Sequence, residues 1–324
     1  MSDPTFATQG PRRQDVATLG LIAGYLFIVI VSWGSNYPLM KLALRDMPPL
    51  TFSAVRLFGG SVVVAVLLWS IGAARLLPPR EERAGLGGVS ILQYVSVLGL
   101  ASVSLQYLPA GRTVAVIYSM PLWAAVFDAL ILKNRLSMVQ CLGILTSLGG
   151  MMLFLNPAVI DWSDTGAVMG LAMTALAAAC WGLGAVLYRT RQWTASMLSQ
   201  TLWQLLVAGA VLVITAIWLE YPMTTRFTPA LMLILLWNWL VPTALAVWAW
   251  TKVLSYLPGS IAGQFLMSTP FVGIALSAWI FDENLPVVFA LSATLITLGG
   301  MLALVKRGPA KPSENAFEGK KDDA

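Results

Sequence analysis

Tyr107-Leu108-Pro109 opens a stretch of this chain that occurs twice. The first copy goes on to Ser119-Met120-Pro121 and Leu148-Gly149-Gly150-Met151, and the second contains Tyr256-Leu257-Pro258, Ser268-Thr269-Pro270 and Leu298-Gly299-Gly300-Met301. Equivalent prolines are 149 residues apart, and the two Leu-Gly-Gly-Met groups are 150 apart. Three motifs that recur in the same order at one offset indicate internal duplication, and a repeat dictates the architecture. The chain is therefore predicted to consist of two similar halves.

The composition of the 324 residues excludes an ordinary soluble protein. Hydrophobic residues make up 58% of the chain and charged residues 11%, and the mean hydropathy is +0.77. A helix needs about 20 apolar residues to cross the hydrocarbon layer of a membrane. Ten runs of that kind occur, at roughly 20–40, 50–71, 86–106, 109–132, 137–155, 166–188, 196–219, 230–251, 259–281 and 285–305. We predict an all-α polytopic membrane protein, because backbone groups in lipid need partners within their own segment.

The number of apolar runs in each half determines how the two halves are oriented relative to each other in the membrane. Five helices in the first repeat mean that the second repeat enters the membrane with the opposite orientation. Such inverted repeats, with helices broken near the midplane, are a recurring transporter design around a central cavity. The predicted division is 1–19 as an N-terminal tail, 20–155 as the first repeat, 156–165 as a linker, 166–305 as the second repeat, and 306–324 as a disordered tail.

The positions of the cations predict the orientation of the chain. With alternating connections, 15 of the 20 Lys and Arg residues fall on the side that carries both termini, and 3 fall on the other side. The remaining two, Arg56 and Arg112, lie within spans. Because positive residues are retained on the cytoplasmic side, both termini are expected in the cytoplasm, across a bacterial inner membrane. The basic residues then indicate contact with membrane lipid, and no nucleic acid is expected as a partner.

The residue types that are missing argue against several kinds of chemistry. The chain has no histidine and two cysteines, so the commonest general base and the usual metal cages are absent. No cofactor, no metal and no catalytic residue is expected. A membrane-embedded enzyme is the weakest of the function hypotheses. A passive channel is disfavoured because the polar residues cluster at helix breaks.

These features resemble the EamA family of the drug/metabolite transporter superfamily. The residues that carry the resemblance are Trp33-Gly34-Ser35-Asn36, Arg56, and in each half Tyr-Leu-Pro, a proline in the fourth helix and Leu-Gly-Gly. The aromatic interior is most similar to that of bacterial aromatic amino-acid exporters. The resemblance implies ten helices in two EamA repeats and a carrier for amino acids or related metabolites. One position departs from the family, in which a glutamate often ends the fourth helix: the second half has Glu283, and the first has Lys133-Asn134-Arg135.

Polar and aromatic residues within the spans are the candidate substrate contacts. Trp33, Asn36 and Tyr37 are spaced i, i+3, i+4 and share one helix face. An arginine within a span, Arg56 or Arg112, can neutralise a substrate carboxylate, although snorkelling to the interface is the alternative. The full set of candidates is Trp33, Asn36, Tyr37, Arg56, Tyr94, Arg112, Tyr118, Ser119, Trp203, Gln204, Asn238, Trp248 and Gln264. For the tryptophans and amides among them, helix packing is the competing interpretation.

Two prolines within spans are candidate hinges. Pro121 and Pro270 lack the N–H that a helix interior needs, and each frees a carbonyl one turn earlier. A static kink is the alternative to a hinge that moves during alternating access. Four other tryptophans near span ends, Trp69, Trp162, Trp193 and Trp218, are expected to form an interfacial belt.

The sequence favours a carrier that exports amino acids, with aromatic and other large neutral ones first. Efflux of hydrophobic drugs or cations is the alternative, and it is weakened by the shortage of acidic residues within the spans. Proton coupling needs an embedded acid, and Asp128 is the one candidate away from a loop. Facilitated diffusion is therefore favoured. A monomer is expected, because one chain supplies both halves, and a dimer is the alternative.

Overall fold

The computed structural model describes residues 13–133, 137–155, 163–257, 259–282 and 287–303, and the described chain contains helices without any strand. Eight helices are long and apolar enough to cross a membrane, and two shorter apolar helices complete the set. Their bounds are Arg13–Gly34 with Asn36–Ala43 (α1), Pro49–Ser70 (α2), Arg80–Ser104 (α3), Ala110–Ile117 with Met120–Ile131 (α4), Met138–Leu155 (α5), Thr165–Arg189 (α6), Met197–Leu219 (α7), Pro229–Tyr256 (α8), Gly259–Leu266 with Thr269–Phe281 (α9) and Val287–Ala303 (α10). The predicted all-α fold of ten helices is confirmed.

The fourth helix of each half is interrupted just before its proline. Helix α4 ends at Ile117 and resumes at Met120, and α9 ends at Leu266 and resumes at Thr269. The break follows from the missing proline N–H, because the ladder cannot continue through Pro121 or Pro270. The expected breaks are therefore present in both halves, at equivalent positions of the repeat.

The third helix of each half contains a wide π-helical segment. It covers Ile91–Leu100 in α3 and Trp239–Leu245 in α8. In each case a hydroxyl donates to the carbonyl five residues earlier: Ser96 Oγ bonds Ile91 O at 2.9 Å, and Thr243 Oγ1 bonds Asn238 O at 2.7 Å. These segments shift the helix faces and, like many π-bulges, they lie beside a candidate functional site.

The halves interlock, because the first helix of each packs against the third and fourth helices of the other. Glycines allow the close approach. A Cβ on Gly34 of α1 would lie 2.8 Å from Val272 Cβ of α9, and a Cβ on Gly182 of α6 would lie 2.7 Å from the backbone nitrogen of Ala124 in α4. Trp33-Gly34 and Trp181-Gly182, which are 148 residues apart in the sequence, thus make the same inter-half contact twice.

The second helices of the two halves also pair with each other, as do the fifth helices. At the α5–α10 crossing, Ser147 Oγ donates to Ile296 O at 3.1 Å. Gly150 faces α10 and Gly299 faces α5, and backbone atoms of the partner helix are among the closest in both cases. One glycine of each duplicated pair, Gly150 or Gly299, therefore allows the two halves to approach closely here, since only residues without a side chain permit this backbone distance.

The outer surface of the bundle is apolar, as a lipid-facing surface must be. Trp69 and Trp218 are 77% and 83% exposed near helix ends, in agreement with the expected aromatic belt. Trp193 differs, because its ring stacks on Tyr188 and its Nε1 donates to Tyr188 O at 2.9 Å. The belt assignment stays a prediction for Trp193, and Trp162 lies outside the described residues.

Candidate functional site

A cavity of about 220 Å³ lies between the two halves. Eight helices contribute to its wall, α1 to α4 from the first half and α6 to α9 from the second. The breaks in α4 and α9 and the wide turn of α8 all reach this wall. The interruptions in the helices and the cavity therefore coincide, as expected where backbone departs from regular geometry inside a membrane protein.

The first half supplies most of the polar groups on the wall. They are Asn36, Tyr37, Arg56, Tyr94 and Tyr118. Arg56 is 7% exposed and its Nη1 has no hydrogen-bond partner among the described residues. Asn36 is 9% exposed, and its Oδ1 is likewise unpaired within the described chain. A buried polar atom without a partner is costly, so these two groups are suited to a ligand that provides one.

Aromatic rings form another part of the wall. Trp33 is held in place by its Nε1, which donates to Pro242 O at 3.1 Å, and Trp181 packs beside Tyr94 with ring centroids 6.2 Å apart. Trp33, Asn36 and Tyr37 all reach the cavity, so the predicted shared face of α1 is confirmed. Fixed aromatic rings beside polar groups can stack on an apolar side chain while the polar groups hold its head.

Repeat symmetry relates several wall residues of one half to those of the other. Equivalent pairs at offsets of 148 or 149 residues are Trp33 with Trp181, Leu57 with Leu205, Tyr118 with Met267, and Met120 with Thr269. The symmetry fails at Arg56, because its counterpart Gln204 is buried away from the wall. Charge is thus confined to the first half among the described wall residues. Apolar side chains on the wall come from both halves.

Several candidates from the sequence lie outside the wall of the cavity. Ser119 Oγ bonds Val116 O at 2.7 Å, Trp203 Nε1 bonds Arg83 O at 2.9 Å, and the Trp248 ring packs edge-on against Tyr25. Asn238 is buried with Nδ2 donating to Ile234 O at 2.8 Å. The remaining candidates outside the wall are Arg112, Gln204, Gln264 and the hinge candidate Pro270, whereas Pro121 lines the cavity. Their roles in transport stay predictions.

Other wall residues were not singled out from the sequence. They include Trp181, Thr201, Pro242, Thr243, Met267 and Thr269. Repeat symmetry was the available signal for Trp181, because it occupies the position of Trp33 in the second half. The threonines gave no such signal, since hydroxyl groups within apolar helices often bond only their own backbone.

Substitution of Trp181 tests the aromatic wall. We expect Trp181→Leu to raise the half-saturation concentration for an aromatic substrate by about three- to tenfold, because an aromatic pair contributes about 0.5–1.5 kcal/mol beyond buried area. An aliphatic substrate of similar size should be affected less. Trp203→Leu is the matched control, since Trp203 packs against Arg83 outside the cavity. Equal effects of both substitutions would remove Trp181 from the site.

Charged contacts join the halves on either side of the cavity. On the side predicted to be cytoplasmic, Asp128 of α4 and Arg189 of α6 form an ion pair at 3.1 Å. On the opposite side, Lys41 Nζ of α1 donates to Leu108 O at 2.7 Å and lies 5.6 Å from the centre of the Phe281 ring of α9. Lys41 and Arg189 occupy equivalent positions of the repeat, 148 residues apart.

These features define a class: a multi-pass membrane protein of two inverted five-helix repeats that enclose a small cavity. Comparison with known families agrees. The model of the EamA-like transporter family matches residues 20–156 and again 168–305. The chain belongs to the EamA-like transporter family. Glu283, at the position where a glutamate often ends the fourth helix in this family, lies outside the described residues.

Relatives support the same assignment, and a solved structure supports the fold. The chain is 25% identical over 281 residues to the uncharacterized transporter YoaV of Bacillus subtilis, covering 87% of this chain and 94% of YoaV. It is 24% identical over 283 residues to a probable amino-acid metabolite efflux pump of Escherichia coli, covering 84% and 91%. A crystal structure covering 87% of this chain and 96% of its own aligns with a TM-score of 0.64 at 19% identity, which supports the fold alone.

Proposed function

We propose that this protein exports amino acids by alternating access, with aromatic and other large neutral amino acids as its principal substrates. The observation that carries the proposal is that Arg56 and Asn36 share the cavity wall with aromatic rings and aliphatic side chains. A large neutral amino acid likewise combines charged groups with an apolar side chain. Its carboxylate suits a guanidinium, with which it forms charge-assisted hydrogen bonds, and its side chain suits the aromatic wall.

Efflux of hydrophobic cations is the second candidate, because relatives in the superfamily include drug carriers. The described wall carries a guanidinium and no carboxylate, so a cation would meet a like charge in a poorly hydrated space. Like charges at close range are costly where the dielectric constant is low. The charge of the cavity thus favours the amino-acid proposal over the cationic one.

Counterflow in vesicles tests the proposal. Purified protein is reconstituted with unlabelled phenylalanine inside, and uptake of labelled Phe, Trp, Met and Thr is followed. Saturable uptake with mutual competition is the expected result, with Phe and Trp preferred because of the aromatic wall. Linear flux would favour a channel. An absence of amino-acid flux, combined with uptake of a hydrophobic cation, would favour the drug carrier. Protein-free vesicles provide the baseline.

We also propose that export is facilitated diffusion down the substrate gradient. Asp128, the acid expected to matter most, is engaged by Arg189 across the two halves at the edge of the bundle. An imposed pH gradient is therefore expected to leave phenylalanine uptake unchanged in vesicles. Uptake driven by the gradient in the parent protein and abolished by Asp128→Asn would contradict this mechanism and assign proton coupling to Asp128.

The proposed setting is a bacterial inner membrane with both termini in the cytoplasm, on the strength of the 15-to-3 distribution of cations. We propose a monomer as the working unit, because both halves that form the cavity belong to one chain. Cysteine labelling from either side of the membrane tests the orientation. Labelling of the termini from the outside would reverse it.

A further inference from the structure

Arg56 is the charged residue on the described wall of the cavity, and the wall contains no described aspartate or glutamate. The other polar side chains there are neutral, among them one amide, three tyrosine hydroxyls and three threonine hydroxyls, from Asn36, Tyr37, Tyr94, Tyr118, Thr201, Thr243 and Thr269. An arginine enclosed in this way carries a large desolvation cost that an anion offsets. The site by itself therefore has a net positive charge that suits a negative ligand.

The described wall of the cavity offers an opposite charge to the carboxylate of an amino acid but not to its ammonium group. Its carboxylate can pair with Arg56, whose Nη1 lacks a partner within the described chain. Its ammonium finds no charged partner on the described wall and depends on neutral acceptors such as Asn36 Oδ1. After the carboxylate and the guanidinium have neutralised each other, the ammonium leaves one uncompensated charge in a poorly hydrated space.

We propose that the carrier recognises its substrates by the carboxylate rather than by the ammonium, and that aromatic monocarboxylates without an amino group are substrates of the same cavity. The proposal rests on the transport function proposed above and extends its substrate class to hydroxy and keto analogues of aromatic amino acids. Such a molecule keeps the ion pair with Arg56 and the contact with the aromatic wall. It removes the charge for which the described wall offers no opposite partner.

A pair of phenylalanine analogues separates the two groups. In 3-phenyllactate a hydroxyl replaces the ammonium, and in phenylalaninamide a neutral amide replaces the carboxylate. Each is added, at equal concentration on both sides of the membrane, to vesicles that exchange labelled phenylalanine. We expect phenyllactate to inhibit exchange at least as well as unlabelled phenylalanine does. Phenylalaninamide should inhibit about tenfold or more weakly than phenyllactate, because it lacks the charged partner of Arg56. A smaller difference, or the reverse order, overturns the proposal.

A membrane potential gives an independent readout. Phenyllactate carries one negative charge across the membrane, and zwitterionic phenylalanine carries none. A potassium diffusion potential that is positive inside should therefore increase the uptake of labelled phenyllactate and leave phenylalanine uptake unchanged. Protein-free vesicles correct for permeation of the neutral acid. No protein-dependent phenyllactate uptake would overturn the proposal.

The two proposals fail in different ways. If phenylalanine exchanges and phenyllactate neither competes nor enters, the carboxylate proposal is wrong and amino-acid transport stands. If labelled phenyllactate is taken up and no amino acid is, the amino-acid proposal is wrong and recognition of the carboxylate stands. If neither compound is transported, both proposals are wrong.

Discussion

Arg56→Gln is expected to reduce phenylalanine counterflow by about tenfold or more, because a hydrogen bond to a charged group contributes about 1.5–3 kcal/mol. The loss should fall on substrates with a carboxylate, and inhibition by phenylalaninamide should be unchanged or stronger. Arg56→Lys should retain part of the activity, since it keeps the charge and loses the planar fork. Glutamine is a mild substitution for Arg56, because Gln204 occupies the equivalent position of the second repeat.

Arg112→Gln is the matched control for this experiment. Arg112 is the other arginine that the sequence places deep within a span, and it lies on α4 away from the cavity wall. Counterflow by the Arg112 variant should stay within about twofold of the parent, as is usual for substitutions remote from a site. Equal losses in both variants, with both proteins monodisperse in detergent, would contradict the role given to Arg56.

Gly299→Ala is expected to destabilise the whole protein by about 1–3 kcal/mol, the usual cost of overpacking a well-packed interior. The new Cβ would overlap the backbone nitrogen of Ser147 and would lie 2.5 Å from Gly143 O, so α5 and α10 would have to separate. That movement also strains the bond from Ser147 Oγ to Ile296 O. The measurement is thermal unfolding in detergent, together with the yield of monodisperse protein.

Gly149→Ala, at the equivalent position of the same repeated motif, is expected not to destabilise the protein. Apart from the adjoining backbone of its own helix, no atom lies within 4 Å of the position that a Cβ on Gly149 would take, so alanine fits without displacement. Alanine also favours a helix over glycine by about 0.5–1 kcal/mol, and the variant should be as stable as the parent or slightly more so. Equal destabilisation by both substitutions would show that helix packing at Gly299 is not the cause.

The contacts on either side of the cavity bear on how such a carrier changes shape. The cations of the two contacts, Arg189 beside Asp128 on one side and Lys41 beside Leu108 and Phe281 on the other, occupy equivalent positions of the two repeats. In an inverted repeat, the two halves can exchange conformations, and so contacts of this kind can break in alternation. The breaks before Pro121 and Pro270 lie in the helices that carry Asp128 and Phe281.

The sequence could not decide whether Arg56 or Arg112 lies on the cavity wall. Both arginines lie in apolar helices at similar depth, and snorkelling was an alternative for each. Arg56 proved to be buried on the cavity wall, so snorkelling is wrong for this residue. A helix that contacts lipid on one face and protein on the other is apolar on both, so its sequence gives little information about its rotation.

The sequence by itself determined the duplication, the ten helices, the inverted halves and the breaks before two prolines. These follow from local chemistry: apolar length sets a span, an odd count sets the inversion, and a missing N–H interrupts a helix. The tertiary structure decided which side chains meet. It brought Trp181 of one half to Tyr94 of the other, and it placed Arg56 on the wall while Trp203 and Trp248 pack elsewhere. The reason is that helix rotation is fixed by contacts between distant segments, such as glycines that admit a neighbouring backbone, and those contacts form only when both halves fold together.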